Sequence, residues 1–350
     1  MRPLRLMLRR SALALVSLLV SLAAAELVLR ATGLGVHDVA SEMRKYADFL
    51  VWDEGGGYFR HPPNTSALLR GVTASFNSLG MRDDEPRMPK PAGVFRILCL
   101  GDSMTFGQGV AQDRIWPALL RSLMAGPRLD FVAAGVGGWN TVEEERFLAG
   151  NIERLAPDLV VLLYVTNDNE ELDPFVVTRR RTERWPTRVL QTLILRSRLV
   201  EWSAFVYRTR IAGTDWTALQ HLASRNEEAA AHGEPFAPTD VGWLASRDAL
   251  DRMVQLTRRQ KARLVVVLFN FGGGDFGAGR VATAALARLR EFGAVAEVPI
   301  VDGSLFLAGH DPLTLVNSPL LDSHPNAEGH ALLAAGIARV LRDGAFLPAR

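Results

Sequence analysis

Gly101-Asp102-Ser103 ends a short apolar run, Phe95 to Leu100, that reads as a buried parallel strand. A small tripeptide at the C-terminal end of such a strand puts a hydroxyl on the rim of an open α/β sheet, where those folds gather ligands and chemistry. A helix cap or a turn would use the same serine. To act as a nucleophile near neutral pH, the hydroxyl needs a base beside it, usually His, and a third group to orient that base. The chain has 7 His. His37, His61, His221, His232 and His310 lack an acidic partner in a patterned setting and read as surface or linker positions. His324 differs. It lies in Leu321-Asp322-Ser323-His324-Pro325-Asn326, ahead of an expected helix with Asn326 as N-cap and Gly344 as stop. In an extended segment residues i and i+2 point the same way, so the Asp322 carboxylate can reach one imidazole nitrogen and leave the other free. His330, the nearest rival, falls inside that helix, either packing there or facing solvent.

Acyl transfer through a serine also needs donors aimed at a developing oxyanion. Two segments that follow expected strands offer them. In Ala134-Gly135-Val136-Gly137-Gly138-Trp139-Asn140-Thr141 the glycines permit positive φ, and the Gly138 amide could face a substrate. The plainer reading is a βα turn feeding a helix that Thr141-x-x-Glu144 opens as a capping box. In Val165-Thr166-Asn167-Asp168 the Asn167 side chain is a donor and Asp168 could brace the loop, although Asn-Asp after a strand is also an ordinary turn.

Together these four blocks resemble the GDSL or SGNH hydrolases, named for Ser, Gly, Asn and His in that order. Gly101-Asp102-Ser103 resembles the nucleophile block, Gly138 and Asn167 fall at the glycine and asparagine of the second and third, and Asp322 to His324 resembles the last. The resemblance covers about residues 93–345. It implies a three-layer, flavodoxin-like α/β sandwich with a parallel sheet of about five strands. It implies that Ser103 attacks an ester carbonyl, that His324 acts as base and then acid, and that Asp322 orients it. The oxyanion would be held by the amides of Ser103 and Gly138 and by the Asn167 side chain. Three departures stand out: Met104 where many members carry Leu, Val165 where the pattern has Gly, and one residue rather than two between Asp322 and His324. The first conserves volume. The second would be strained if that backbone needed positive φ.

The N-terminus carries a separate message. Met1 to Arg10 holds Arg2, Arg5, Arg9 and Arg10 with no acid, and Ser11 to Ala25 is uncharged and mostly Leu, Ala and Val. A basic stretch before an apolar run is an export signal that leaves the arginines in the cytoplasm. Ala23-Ala24-Ala25 would suit cleavage after Ala25, whereas Leu27-Val28-Leu29 prolongs the run towards the about 20 residues of a span. The expectation is an uncleaved anchor over residues 11–29, with the rest on the periplasmic side. Without those four arginines the chain carries 36 basic and 38 acidic residues, too balanced for a nucleic-acid surface. The single Cys99 excludes an intramolecular disulfide and sits inside a strand as a buried thiol. No Cys/His spacing suits zinc, so neither metal nor cofactor is expected.

Residues 1–30 thus read as anchor or signal, 31–92 as linker and N-terminal decoration, and 93–345 as the hydrolase domain. Core strands are expected at 95–100, 129–134, 159–165, 263–270 and 299–301, with helices near 114–125, 141–155, 240–261, 279–292 and 326–343. Residues 172–239 interrupt this alternation as an insertion with Arg179-Arg180-Arg181, Trp185, Trp202, Trp216 and a helix from Arg188 to Arg210. Gly272-Gly273-Gly274 is a loop at the same edge and lacks the Lys-Ser/Thr of a phosphate loop. Three functions fit: an ester hydrolase outside the cytoplasm acting on acyl or acetyl esters, with cell-envelope carbohydrate as a possible carrier; an O-acyltransferase to a glycan; or a non-catalytic binding or assembly module. A scaffold has no physical need for all four of Ser, Gly, Asn and His.

Overall fold

The five apolar runs form one parallel sheet, and its order places Ser103 at a point where the connections reverse direction. The computed structural model describes residues 2–32, 39–126, 128–169, 193, 197–206, 236–269, 278–318, 322–344 and 346–348. Most of the 172–239 insertion, with the Arg179–Arg181 run, Trp185 and Trp216, lies outside them, as does Gly272-Gly273-Gly274.

Along the chain, α1 (Arg2–Thr32) and α2 (Val39–Phe49) precede two antiparallel hairpins, β1 (Val51–Asp53) with β2 (Tyr58–Arg60) and β3 (Thr65–Leu69) with β4 (Val72–Phe76). The alternation begins with β5 (Phe95–Gly101), α3 (Ser103–Phe106), α4 (Trp116–Leu123), β6 (Leu129–Gly135), α5 (Thr141–Leu155) and β7 (Leu159–Tyr164). It continues through α6 (Arg198–Val206), α7 (Val241–Arg259), β8 (Arg263–Leu268), α8 (Ala278–Ala296), β9 (Ile300–Asp302), the hairpin β10 (Val316–Ser318) and β11 (Asp322–Pro325), and α9 (Ala327–Asp343). The sheet order is β6-β5-β7-β8-β9, all parallel. In such a doubly wound sheet the chain turns both ways from β5, opening a crevice beyond its C-terminal end.

Strand periodicity divides the core into two faces. Leu98, Leu100, Val132, Val160, Leu162 and Val266 pack against α5, α7 and α8. Their neighbours Ile97, Cys99, Phe131, Val161, Leu163 and Val267 pack against α4 and α9. Cys99 is wholly buried, as its place in the strand implies. The segment before β5 is not a loose linker: Tyr46, Phe49, Tyr58, Phe59, Leu69 and Phe76 enter the first of these cores beside Phe106, Trp139 and Phe147. Of the long insertion helix expected at 188–210, Arg198–Val206 is described and helical.

Two local expectations are corrected. Thr141-x-x-Glu144 is not the capping box. Asn140 caps α5, accepting from Val142 N at 2.8 Å and Glu143 N at 3.3 Å, while Glu143 reaches back to the Asn140 amide at 3.4 Å. The box starts one residue earlier because Thr141 is already helical. Its hydroxyl bonds the Asp168 carbonyl at 3.1 Å and lies 2.9 Å from the Ser246 hydroxyl. That frame leaves Glu144 fully buried with neither carboxylate oxygen hydrogen-bonded among the described residues. Burial pushes its carboxyl well up, and the neighbouring Asp168, Asp102 and Glu143 add to the effect. His61 is the second correction. It is fully buried, between the rings of Phe76 and Phe106, because Tyr46 Oη lies 2.7 Å from Nε2 and the Gly80 carbonyl 3.1 Å from Nδ1. An aromatic shell and two partners outweigh its lack of an acidic neighbour.

Two outcomes test this architecture. A Cβ at Gly135 would lie 2.4 Å from Phe106 N and 2.6 Å from the Thr105 carbonyl carbon, so Gly135→Ala should cost about 1–3 kcal/mol in urea denaturation. Below the ordinary Glu range the buried Glu144 is neutral in both folded and unfolded chains. As pH rises only the unfolded side chain ionises, and stability falls by about 1.4 kcal/mol per pH unit across that window. Glu144→Gln, which cannot ionise, should therefore lose less stability than the parent between pH 5 and pH 8.

Candidate active site

Ser103 opens α3, two residues past the end of β5. Asp102 caps this short helix, accepting from Met104 N at 2.9 Å, and the helix ends at Gly107 in a left-handed conformation at φ +73°. The turn is tightly packed at its start: a Cβ at Gly101 would meet Thr105 Oγ1 at 2.2 Å. Arg82 holds the loop beyond α3, donating to the carbonyls of Phe106, Gly107 and Val110 at 2.6–2.9 Å.

His324 arrives from β11, whose pairing with β10 keeps it extended. That conformation resolves the compressed spacing. Asp322 and His324 share a side of the strand, with Asp322 Oδ1 lying 2.5 Å from Nδ1 and accepting the His324 amide at 3.2 Å. A charged acceptor at Nδ1 fixes the tautomer and leaves Nε2 as an acceptor. Nε2 lies 2.9 Å from Ser103 Oγ. Asp102 Oδ2, at 3.2 Å, is the other acceptor within reach of the serine proton. Ser103, His324 and Asp322 thus form one chain of hydrogen bonds at the carboxyl edge of the sheet.

The two carboxylates are in different electrostatic states. Burial opposes ionisation at Asp322, but its bonds to His324 and the Arg70 guanidinium outweigh that and hold the carboxyl below its usual range. Burial dominates at Asp102 and pushes its carboxyl up. His330, which sequence left between packing and solvent, is fully buried; its Nδ1 accepts the Trp116 amide at 3.1 Å, and burial holds it down at about 3.

Asn167 lies in a single 3-10 turn, Thr166–Asn169, after β7, and its amide donates to Asp102 Oδ2 at 3.3 Å. It is therefore linked to Ser103 through a shared acceptor. Val165 is not strained, since its φ is not positive. The turn is closed instead by Asp168, whose Oδ2 accepts Val165 N at 2.7 Å and whose amide donates to the Val165 carbonyl at 3.0 Å. Gly138 has φ +85° in the turn after β6. Its neighbours are fixed: Gly137 N donates to Tyr46 Oη at 2.7 Å, and Trp139 Nε1 to the Phe59 carbonyl at 2.7 Å. Gly138 itself has no hydrogen bond to the other four residues. Among the described residues no cluster of three His, Cys, Asp or Glu is placed to hold a metal ion.

Sequence reasoning missed the residues that hold this constellation: Tyr46, Arg70, Arg82, Gln108 and Asn317. Asn317 donates to Asp322 Oδ2 at 3.3 Å and to the Gln108 carbonyl at 2.8 Å. The one local signal was Arg70-Gly71 between two alternating strands, a hairpin turn whose side chain is aimed by tertiary packing.

Residues 99–332 match the GDSL-like lipase/acylhydrolase family. A search of curated proteins returned no match. Solved structures similar to the chain include TesA, at 16% identity and a TM-score of 0.43, over 71% of this chain and 98% of TesA. Esterase EstA from Pseudoalteromonas sp. aligns at 14% identity and a TM-score of 0.41, over 72% of this chain and 99% of its own. A lipase/acylhydrolase from Enterococcus faecalis aligns at 17% and 0.41, over 72% and 97%. With two thirds of its length matched to that family, and with the serine block at the start of the match, the chain belongs to the GDSL-like lipase/acylhydrolases and is an ester hydrolase.

Proposed function

We propose that this ester hydrolase works through Ser103 as nucleophile, His324 as general base and then acid, and Asp322 as the group that orients and charges the imidazole. The observation that carries the reading is the unbroken path from Ser103 Oγ through His324 to Asp322 Oδ1, at 2.9 and 2.5 Å. As Oγ attacks the ester carbonyl, Nε2 takes its proton, and the imidazolium is stabilised by Asp322. His324 then gives that proton to the departing alkoxide, leaving an acyl group on Ser103. Water, deprotonated by the same nitrogen, releases the acid and restores the serine. For the oxyanion we assign the Ser103 and Gly138 amides and the Asn167 side chain. The Ser103 amide stands at the first helical position, where no intrahelical acceptor exists.

We further propose that the domain that begins at residue 93 and ends near 345 works outside the cytoplasm, tethered by residues 11–29, on acyl or acetyl esters of cell-envelope carbohydrate. Arg9–Thr32 is long and apolar enough to cross a membrane by length and composition. Retention rather than cleavage after Ala25 is supported by Leu27-Val28-Leu29, which continues the apolar helix past Glu26. The Glu26 carboxylate accepts from Ser197 Oγ and Leu199 N at 2.8 Å and from Arg198 N at 3.1 Å, capping α6. A carboxylate near an apolar span is costly without such partners, and Glu26 keeps them with or without a cut after Ala25.

Full-length protein in detergent should cleave short-chain p-nitrophenyl esters and take one fluorophosphonate label. Ser103→Ala should abolish both without changing the far-UV circular dichroism, whereas persistent labelling would remove Ser103 from the mechanism. His324→Ala should lower kcat/KM on the order of 10³-fold or more. Because Asp322 is held below its usual range, it stays charged at every pH of such an assay, and Asp322→Asn should also be severely impaired. Added oligosaccharide acceptors would reveal transfer as an acylated glycan.

Topology has its own test. A reporter active only in the periplasm, fused after Arg350, should be active. Mass spectrometry of the native N-terminus should find α1 intact, and a mature start at Glu26 would overturn the anchor.

A further inference from the structure

The family match begins at residue 99, yet a charged contact to the acid of the site comes from residue 70. Arg70 and Gly71 are the two central residues of the β3–β4 hairpin turn, with φ +46° and +78°. A two-residue turn of this kind needs both residues left-handed, a conformation that glycine or asparagine adopts with far less strain than arginine. Backbone strain of this sort persists where the surroundings impose it and is most informative near functional sites. Here the surroundings are specific. Glu42 Oε2, from α2, accepts the Arg70 amide at 2.6 Å and fixes the turn. The Arg70 side chain, about one-tenth exposed, reaches 252 residues along the sequence to pair its Nη1 with Asp322 Oδ2.

The rest of the guanidinium is also engaged. With its oxygen turned towards Arg70, the Gln108 amide accepts Nε at 2.8 Å and Nη2 at 3.2 Å, and its nitrogen then donates to His324 Nε2 at 3.2 Å. Arg70 therefore grips the orienting carboxylate on the oxygen that His324 does not use. It also sets, through Gln108, a donor at the imidazole nitrogen that faces Ser103.

We propose that Arg70 is a positioning residue of the active site, delivered by the hairpin that precedes the family region, so that the N-terminal segment is a working part of the hydrolase. The inference rests on the Ser103-His324-Asp322 reading. Charge and geometry give it two consequences. Holding Oδ2 fixes the carboxylate rotamer and hence the ring. The guanidinium charge also offsets part of the carboxylate's pull on an imidazolium, so removing it makes His324 easier to protonate. Other titratable or charged groups also face this pair. Asp102 faces it from the cap of α3, and His330 from α9, with Arg82 adding charge near His330. Glu42 lies behind Arg70 on its amide. Among the described residues, the cation that bonds Asp322 is Arg70.

The test uses full-length protein in detergent and compares the parent, Arg70→Lys, Arg70→Gly and His324→Ala by pH profiles of kcat/KM on p-nitrophenyl acetate. Glycine suits the left-handed turn, so Arg70→Gly removes the guanidinium without forcing the hairpin open. It should lose at least about tenfold in kcat/KM, and its acid limb should move to higher pH by about half a unit or more. Arg70→Lys should keep the acid limb near that of the parent and recover part of the rate. Millimolar methylguanidinium should restore Arg70→Gly several-fold, where equal sodium chloride does not, and should leave His324→Ala unchanged. A merely structural role for Arg70 would move neither the acid limb nor the rescue. If Arg70→Gly keeps the parent's acid limb and gains nothing from methylguanidinium, the proposal is overturned while the triad stands. If His324→Ala is as active as the parent, the triad reading and this inference fall together.

Discussion

The carboxylate of Asp322 is where separate lengths of chain meet, and the site's geometry depends on that meeting. One oxygen receives the imidazole and amide of His324, and the other receives Arg70 and Asn317. A buried carboxylate with this many donors stays ionised, and it stays in one rotamer because each oxygen is held separately. The β10–β11 pairing supplies the extended backbone, and Asn326 continues it into α9 by capping the helix at 3.0–3.1 Å. His324 is therefore set between a hairpin and a helix, with little freedom to leave Ser103.

Beneath the serine the chain is organised by exclusion of water. Asp102 and Glu144 are fully buried acids whose carboxyls are pushed up by burial. A run of hydroxyls spans the same layer, Thr141 to Ser246 at 2.9 Å and Ser246 to Tyr164 at 3.0 Å. It ties α5, β7 and α7 together under the loop that carries Asn167. Such networks in a low-dielectric floor fix the loops above them while leaving few ways to repack.

The N-terminal segment braces the other side. Tyr46 holds the turn that contains Gly138, Arg82 holds the loop after Ser103, and Arg70 holds Asp322. Three supports from residues 39–82 thus reach three different blocks of the site. The same segment follows α1 in sequence, so the part of the chain that comes after the proposed membrane anchor also braces the site.

Much of this was legible in sequence because it is encoded locally. Apolar runs of strand length, each ending in a small or polar cluster, specify the parallel sheet, and a helix-capping asparagine after His324 specifies where α9 begins. Ser103, Asn167 and His324 stand at element ends, and the i, i+2 relation of Asp322 to His324 follows from an extended backbone alone. Tertiary structure decided the rest. His61 has no acid beside it in sequence, yet the rings of Phe49, Phe76, Phe106 and Tyr46 close around it. Glu144 looks like a capping residue until the helix frame turns it inward. Arg70 is an ordinary turn residue until the hairpin is laid against β11. Local propensities determine which elements form and where they end. Which side chains meet across tens or hundreds of residues depends on how those elements pack, and no short window of sequence contains that information.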